Sequence, residues 1–202
     1  MARILAVSAG RAAPLFAQDA GERFATLSAI GKRPVSTLDC PARCAVGPQG
    51  VEADESVERR IHGPPLQALY IYPAEHYEFW RALARQHHAR PIADAGALGE
   101  NLTVQGLTES TVWIGDVLTV GTVRMRITRP RVPCFKLNAH LGLRMAAKLM
   151  VQSGFTGYYC EVLQPGDLAA GELLELIPGA RTLTVLDRHR LDTDAPQRAL
   201  PF

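Results

Sequence analysis

The chain has 202 residues, of which 47% are apolar and 21% are charged, and its formal net charge is +2. This profile is typical of one globular domain with its own core, which needs neither a disulfide framework nor a structural metal to fold. The small net charge argues against a nucleic acid polymer as partner. Because no run of about 18 apolar residues occurs, we expect no signal peptide and no membrane span.

Short strand-like segments follow one another along most of the chain. The clearest is a hairpin over 117–128, where apolar residues alternate with Arg124, Arg126 and Thr128 after a turn at Gly121-Thr122. Further strands are predicted at Ile4–Val7, Phe24–Ile30, Leu66–Tyr72, Thr111–Ile114, Gly157–Leu163, Leu173–Ile177 and Thr182–Leu186. Many short strands with close turns predict a mainly β fold with a few helices, closed into a β-barrel.

Two segments are predicted to be helical. Pro73–His88 carries an apolar stripe, which indicates a helix that covers one mouth of the barrel. Ala139–Gln152 follows Asn138, an acceptable N-cap residue, and stops at Ser153-Gly154. We assign residues 1–186 to a single domain and residues 187–202 to a polar tail that is either mobile or docked at the periphery.

Four cysteines, at positions 40, 44, 134 and 160, are too few for a secreted disulfide scaffold, so we expect reduced thiols and a cytoplasmic location. The spacing of Cys40 and Cys44 fits half of a zinc site, but no second half follows. We therefore expect a turn between strands there.

The strongest chemical signal surrounds Cys134. Pro130 and Pro133 restrict the backbone, and Arg131 and Lys136 bring positive charge to the start of a helix. These features favour the thiolate, which attacks electrophiles or binds soft metals, and the same cations suit a phosphate-bearing ligand. The alternative is a small buried cysteine with a packing role only.

Two further segments offer polar side chains. His62 lies in a turn before an apolar strand, where an imidazole either transfers a proton or makes a structural hydrogen bond. Glu100 and Asn101 follow Gly99 and supply a carboxylate and an amide. A dinucleotide fingerprint, a P-loop and a Gly-x-Ser-x-Gly elbow are all missing from the sequence, which removes the common nucleotide-binding and hydrolase functions.

These motifs, in this order, resemble the MOSC domain family (molybdenum cofactor sulfurase C-terminal domain), and its YiiM-like bacterial branch in particular. The resemblance covers about residues 3–177. It is carried by Ser28–Val35, the stretch from His62-Gly63 to Tyr72, Pro73 with His76-Tyr77 and Trp80, Gly99–Leu102, Gly106–Glu109, Gly115-Asp116 and Pro130–Leu137. The combination of Gly-Glu-Asn-Leu with Pro-Arg-x-Pro-Cys-x-Lys-Leu is specific.

The resemblance implies a barrel of the pyruvate-kinase type that binds the molybdenum cofactor (molybdopterin), with Cys134 as the metal ligand. It makes Arg131, Lys136 and Asn138 candidates for the pterin phosphate. It implies catalytic roles for Cys134, for His62 as a proton donor, and for Glu100, which with Asn101 would also contact the cofactor.

The implied activity is an oxidoreductase that reduces N-hydroxylated compounds, such as 6-hydroxylaminopurine, to amines and so detoxifies N-hydroxylated bases. Its electrons would come from a redox protein. The chain departs from the family pattern after His62-Gly63, where it reads Pro64-Pro65-Leu66-Gln67, and at Ala53, where the family has glycine. Two alternatives stay open: a non-catalytic carrier of the cofactor or its sulfur, and a metal-free thiol enzyme with Cys134 as nucleophile.

Overall fold

The fold is mainly β, as predicted. The computed structural model describes residues 1–19, 22–55, 57 and 65–194. Within this part of the chain the strands are β1 (Ala2–Ala9), β2 (Ala13–Asp19), β3 (Glu22–Ser28), β4 (Arg33–Thr37), β5 (Cys44–Gly47), β6 (Gly50–Val51), β7 (Leu69–Pro73), β8 (Leu102–Gln105), β9 (Val117–Val120), β10 (Val123–Pro130), β11 (Tyr158–Gln164), β12 (Gly166–Leu168) and β13 (Leu173–Ile177). The helices are α1 (Tyr77–Gln86), preceded by a 3-10 turn at Ala74–His76, α2 (Phe135–Leu141), α3 (Ala146–Ser153) and α4 (Val185–Asp194).

Seven strands close into a barrel in the order β13-β9-β10-β11-β7-β8-β1. The ring closes where Ala2 and Arg3 of β1 pair with Leu174 and Leu173 of β13. Every pair in the ring is antiparallel except β7 with β8, because α1 carries the chain back across the barrel end between these two strands. The closed β-barrel that the strand pattern predicts is therefore confirmed.

Apolar and charged residues alternate along β10, and this pattern determines which side chains face the barrel interior. Val123, Met125 and Ile127 are buried, while Arg124 and Arg126 between them are exposed. The predicted turn before this strand is confirmed, and Gly121 supplies it with a φ of 55°. A second core lies between the barrel and the helices, where Trp80 is fully buried.

The predicted helix over Ala139–Gln152 is in fact two helices. The chain is left-handed at Gly142, with a φ of 68°, and this ends α2 before α3 begins. Asn138 is not the N-cap residue, because α2 starts earlier and Cys134 occupies that position. Asn138 instead lies within α2, where its Oδ1 accepts a hydrogen bond from the N–H of Ala147 at 2.8 Å.

The remaining predicted elements are placed as follows. Thr111–Ile114 and Thr182–Leu186 are not strands, and only Trp113 and Thr184 pair there, as an isolated bridge. The predicted start of the tail at residue 187 falls inside α4, whose His189 is buried and hydrogen bonds to the carbonyl of Val151 at 2.8 Å. Residues 187–194 thus belong to α4, and the remainder of the predicted tail lies outside the described residues.

Cys40 lies in the expected turn between β4 and β5, Cys44 is the first residue of β5, and both are free thiols. In the part of the chain that the structure describes, no group of three or more His, Cys, Asp or Glu side chains could hold a metal ion. No helix in that part is long and apolar enough to cross a membrane.

Candidate functional site

A cleft of about 160 Å³ lies where several strands end at one side of the barrel. It brings together segments that are far apart in the sequence: the chain after β3, the start of β7, the turn before β8 and the connection from β10 to α2. Its wall is formed by Ser28, Ala29, Ile30, Lys32, Gln49, Asp54, Glu55, Val57, Gln67, Ala68, Tyr70, Gly99, Asn101, Arg131, Val132, Cys134, Lys136 and Tyr159. Four of the predicted site residues therefore share one cleft: Asn101, Arg131, Cys134 and Lys136.

Cys134 presents a half-buried free thiol to the cleft. Its backbone is extended, with φ −130° and ψ 179°, and its carbonyl accepts a hydrogen bond from the N–H of Leu137 at 3.0 Å. Cys134 is thereby held in place as the N-cap residue of α2, and its side chain stays partly accessible. Cys160, in contrast, is fully buried in the barrel core, and burial raises the pKa of its thiol.

Arg131 is a buried cation whose orientation is fixed before any ligand binds. Its guanidinium lies 4.7 Å from the centre of the Tyr70 ring and donates a hydrogen bond to the carbonyl of Leu98. Its backbone N–H donates to the carbonyl of Gly157 at 3.4 Å. Because an arginine stays protonated in proteins, this side of the cleft is positively charged at any relevant pH.

Lys32 is a second cation in the cleft, and it is not among the residues that the sequence predicts for the site. It forms an ion pair with Asp54, and burial lowers its pKa while the charge of Asp54 opposes that shift. Asp54 also accepts hydrogen bonds from the Asn101 amide at 2.8 Å and from the N–H of Gly10 at 2.7 Å. Lys32 lies within the motif Ser28–Val35, so the signal was present, but its partner is 22 residues away in a different segment.

Tyr70 connects the elements that form the floor of the cleft. Its backbone N–H donates to Asn101 Oδ1 at 3.1 Å, and its carbonyl accepts the N–H of Asn101 at 2.8 Å. Its hydroxyl donates to the carbonyl of Thr156 at 2.7 Å, and burial raises the pKa of the phenol, which keeps it neutral. Asn101 therefore has a structural role in the wall of the cleft, and its contact with a cofactor stays a prediction.

Glu100 does not line the cleft. It is fully buried, and its carboxylate accepts hydrogen bonds from the hydroxyl of Tyr77, the N–H groups of Gly96 (2.7 Å) and Leu98 (3.1 Å), and the hydroxyl of Thr103 (2.8 Å). With these donors around it, the carboxylate anchors the turn before β8, and the structure gives no support to contact with a substrate. The burial of Glu100 distinguishes a structural role from a catalytic one, and the local sequence does not predict that burial.

Two other predicted residues also fall outside the observed cleft. Asn138 is half-buried in α2, where its side-chain oxygen already accepts the N–H of Ala147. It is not among the residues that line the cleft. His62 lies outside the described residues, although Val57 and Gln67, on either side of that segment, both line the cleft.

The buried pair of Glu109 and His76 contributes to the structural frame of the cleft without lining it. His76 Nε2 lies 2.7 Å from Glu109 Oε2, and the other oxygen of Glu109 accepts the N–H of Gly157 at 2.6 Å. The imidazole stacks on Phe155 with the ring centres 3.9 Å apart. The pair fixes the backbone on which both Tyr70 and Arg131 depend, and it belongs to the structural frame of the site.

Gln67 differs from the other polar groups of the wall. Its Oε1 is buried, and no hydrogen-bond donor reaches it within the part of the chain that the structure describes. Among the described residues that line it, the cleft therefore combines one thiol, three cations, two carboxylates and, at Gln67, one buried acceptor without a partner.

Comparison with known proteins gives consistent matches. A family model described as the MOSC domain matches residues 58–175. Protein YiiM of Escherichia coli (strain K12) is 40% identical over 137 residues, which are 67% of this chain and 60% of that protein, so the match spans less than two thirds of the relative. The uncharacterized protein YflK of Bacillus subtilis (strain 168) is 37% identical over 171 residues, or 83% of this chain and 75% of that protein.

A reductase of Gibberella moniliformis is 33% identical over 141 residues, which are 69% of this chain and 24% of that protein. Among solved structures, YiiM from Geobacillus stearothermophilus superimposes with a TM-score of 0.72 and 29% identity, covering 96% of this chain and 85% of the other.

Proposed function

The chain belongs to the MOSC domain family, and on that premise we propose that its cleft binds the molybdenum cofactor and that the loaded protein reduces N-hydroxylated compounds to amines. The observation that carries this proposal is the position of the Cys134 thiol, which shares a cleft with Arg131, Lys136 and Lys32. A thiolate is the soft ligand that such a metal needs, and the neighbouring cations favour an anionic ligand.

The donor set of the cleft fits this cofactor. Among the described residues, no group of three side chains could hold a metal ion. The soft ligand that the wall of the cleft offers to a metal is the single thiol of Cys134. That set suits a metal which arrives with its other ligands supplied by an organic chelator. The buried Arg131 guanidinium suits a phosphate group, because its planar donors match the geometry of phosphate oxygens. The unpartnered Gln67 oxygen suits a ligand that carries N–H groups.

The bound cofactor would supply the two electrons for cleavage of the N–O bond. Reduction of R–NHOH to R–NH2 and water consumes two electrons and two protons, so the protein must hold the substrate and deliver the protons. Arg131, Lys136 and Lys32 would hold the anionic end of the cofactor, Asn101 holds the turn beside it, and His62 is proposed as a proton donor. Glu100 supports this arrangement from outside the cleft.

The electrons have to come from another protein, which we propose to be an electron-donor redox protein that acts in the cytoplasm. The fungal homologue named as a reductase supports an enzymatic role for the family member described here. We propose 6-hydroxylaminopurine as the substrate to test.

The proposal is tested by expressing wild type, Cys134→Ala and Cys40→Ala in a host that synthesises the cofactor. Cys40→Ala is the matched control, since it removes an exposed thiol that does not line the cleft. We expect wild type and Cys40→Ala to contain molybdenum and to reduce 6-hydroxylaminopurine with reduced methyl viologen as donor, and Cys134→Ala to do neither. Wild-type molybdenum content in Cys134→Ala would refute the assignment. Bound molybdenum without reduction of any hydroxylamine would identify a cofactor carrier instead.

A further inference from the structure

The side-chain oxygen of Gln67 is an unusual feature of the cleft. Oε1 is buried, and among the described residues it shares the lack of a hydrogen-bond partner only with Ser8 Oγ, which does not line the cleft. Gln67 lies next to the buried Ala68, just before β7, so its position on the wall is fixed by the strand that follows. Buried polar groups in folded proteins are almost always paired, and an exception calls for an explanation.

The other buried polar groups of the wall already have partners inside the protein. Asn101 uses both its oxygen and its nitrogen, Asp54 accepts three hydrogen bonds, and Arg131 donates to Leu98 while it covers the Tyr70 ring. These groups form a closed frame that does not need a ligand for its stability. Gln67 Oε1 is not part of that frame, and none of the described residues donates a hydrogen bond to it.

We propose that Gln67 is a ligand-recognition residue, whose Oε1 accepts a hydrogen bond from an N–H or O–H donor of the molecule bound in the cleft. The identity of that molecule rests on the proposed function: the ring N–H groups of a pterin and the N–OH end of a substrate both supply such a donor. A buried acceptor without a partner costs the free protein a free energy equivalent to about a tenfold change in a dissociation constant. A ligand that pairs with it gains a similar factor.

The residue is tested first through stability, which needs neither metal nor turnover. Gln67→Met removes the unpaired acceptor and keeps the length of the side chain, and Gln152→Met makes the same change on an exposed glutamine of α3 that does not line the cleft. In protein without cofactor we expect Gln67→Met to raise the melting temperature by about 2 °C or more. Gln152→Met should leave it unchanged.

Binding then identifies the source of the donor. Wild type and both variants, without cofactor, are titrated with 6-hydroxymethylpterin and with 6-hydroxylaminopurine. We expect Gln67→Met to bind one of the two probes about tenfold more weakly, and the affected probe shows whether Gln67 recognises the cofactor or the substrate. Gln152→Met should bind both as wild type does.

Three results would overturn the inference. The first is unchanged binding of both probes by Gln67→Met, and the second is a joint loss of stability and binding, which indicates a structural role. The third is a wild-type protein that binds neither probe. Each of these is separate from the molybdenum content of Cys134→Ala, so a failure of the recognition role can be distinguished from a failure of the proposed function.

Discussion

Replacing Glu100 by glutamine separates an anchor of the fold from a reactive carboxylate. Oε1 of Glu100 accepts hydrogen bonds from Tyr77, Gly96 and Thr103, and Oε2 accepts the N–H of Leu98 at 3.1 Å. In Glu100→Gln the amide oxygen can keep the first three partners. The new NH2 group then faces the N–H of Leu98, donor against donor.

The expected loss of stability follows from these contacts. A hydrogen bond to a charged group is worth about 1.5–3 kcal/mol, and the substitution removes one and weakens three others by removing the charge. A neutral amide costs less to bury than a carboxylate, which returns part of this free energy. We expect a net loss of about 2 kcal/mol, or a melting temperature lowered by about 4–8 °C for a chain of this length.

Differential scanning calorimetry of Glu100→Gln measures this directly, with Glu175→Gln as the control because Glu175 is exposed on β13. The control should unfold within about 1 °C of wild type. A catalytic carboxylate would show the opposite pattern, with a fall in kcat of about a hundredfold or more and an unchanged melting temperature. That pattern in Glu100→Gln would refute the anchoring role.

Three further predictions concern the frame of the cleft and its ionisation. Gly157→Ala should cost about 3 kcal/mol or more in chemical denaturation, because φ is 62° and a Cβ would lie 2.8 Å from the Tyr70 ring; wild-type stability would contradict this. Burial lowers the pKa of His140; a hydrogen bond with the Ala97 backbone opposes this shift, and the charges of Arg131 and Arg90 add to it. Stability should therefore fall as the pH drops below about 6.5, and His140→Gln should flatten that slope; an unchanged slope would count against this reasoning. Arg131→Lys keeps the charge but loses the planar stack and the bond to Leu98, so molybdenum retention should fall about tenfold, and full retention would disprove the need for a guanidinium.

The features predicted best from the sequence are those specified by neighbouring residues. The hairpin over 117–128 follows from strict alternation and from one glycine in the turn, and both signals lie within a few residues of each other. Cys134, Arg131 and Lys136 were found together because a single short segment carries all three. Proximity in the chain therefore explains much of what the sequence reveals about the site.

The features missed depend on contacts between distant segments. A glycine within an apolar helical pattern either continues the helix or ends it, and the sequence does not distinguish the two outcomes. In the structure the backbone at Gly142 is left-handed, and this ends α2. The motif around Glu100 gives no sign that its donors converge from a turn, a helix and a strand. Similarly, Lys32 and Asp54 meet only because the barrel brings their segments to the same edge.

Tyr70 explains how such distant segments form one ordered cleft. It binds Asn101 through its backbone, Thr156 through its hydroxyl, and carries the Arg131 guanidinium on its ring. Ordering a long side chain on binding costs about 0.5–1.5 kcal/mol, and here the arginine is already ordered in the free protein. A ligand in this cleft thus avoids that cost for its main cation, and the same dependence makes the site sensitive to substitutions such as Gly157→Ala that touch no ligand.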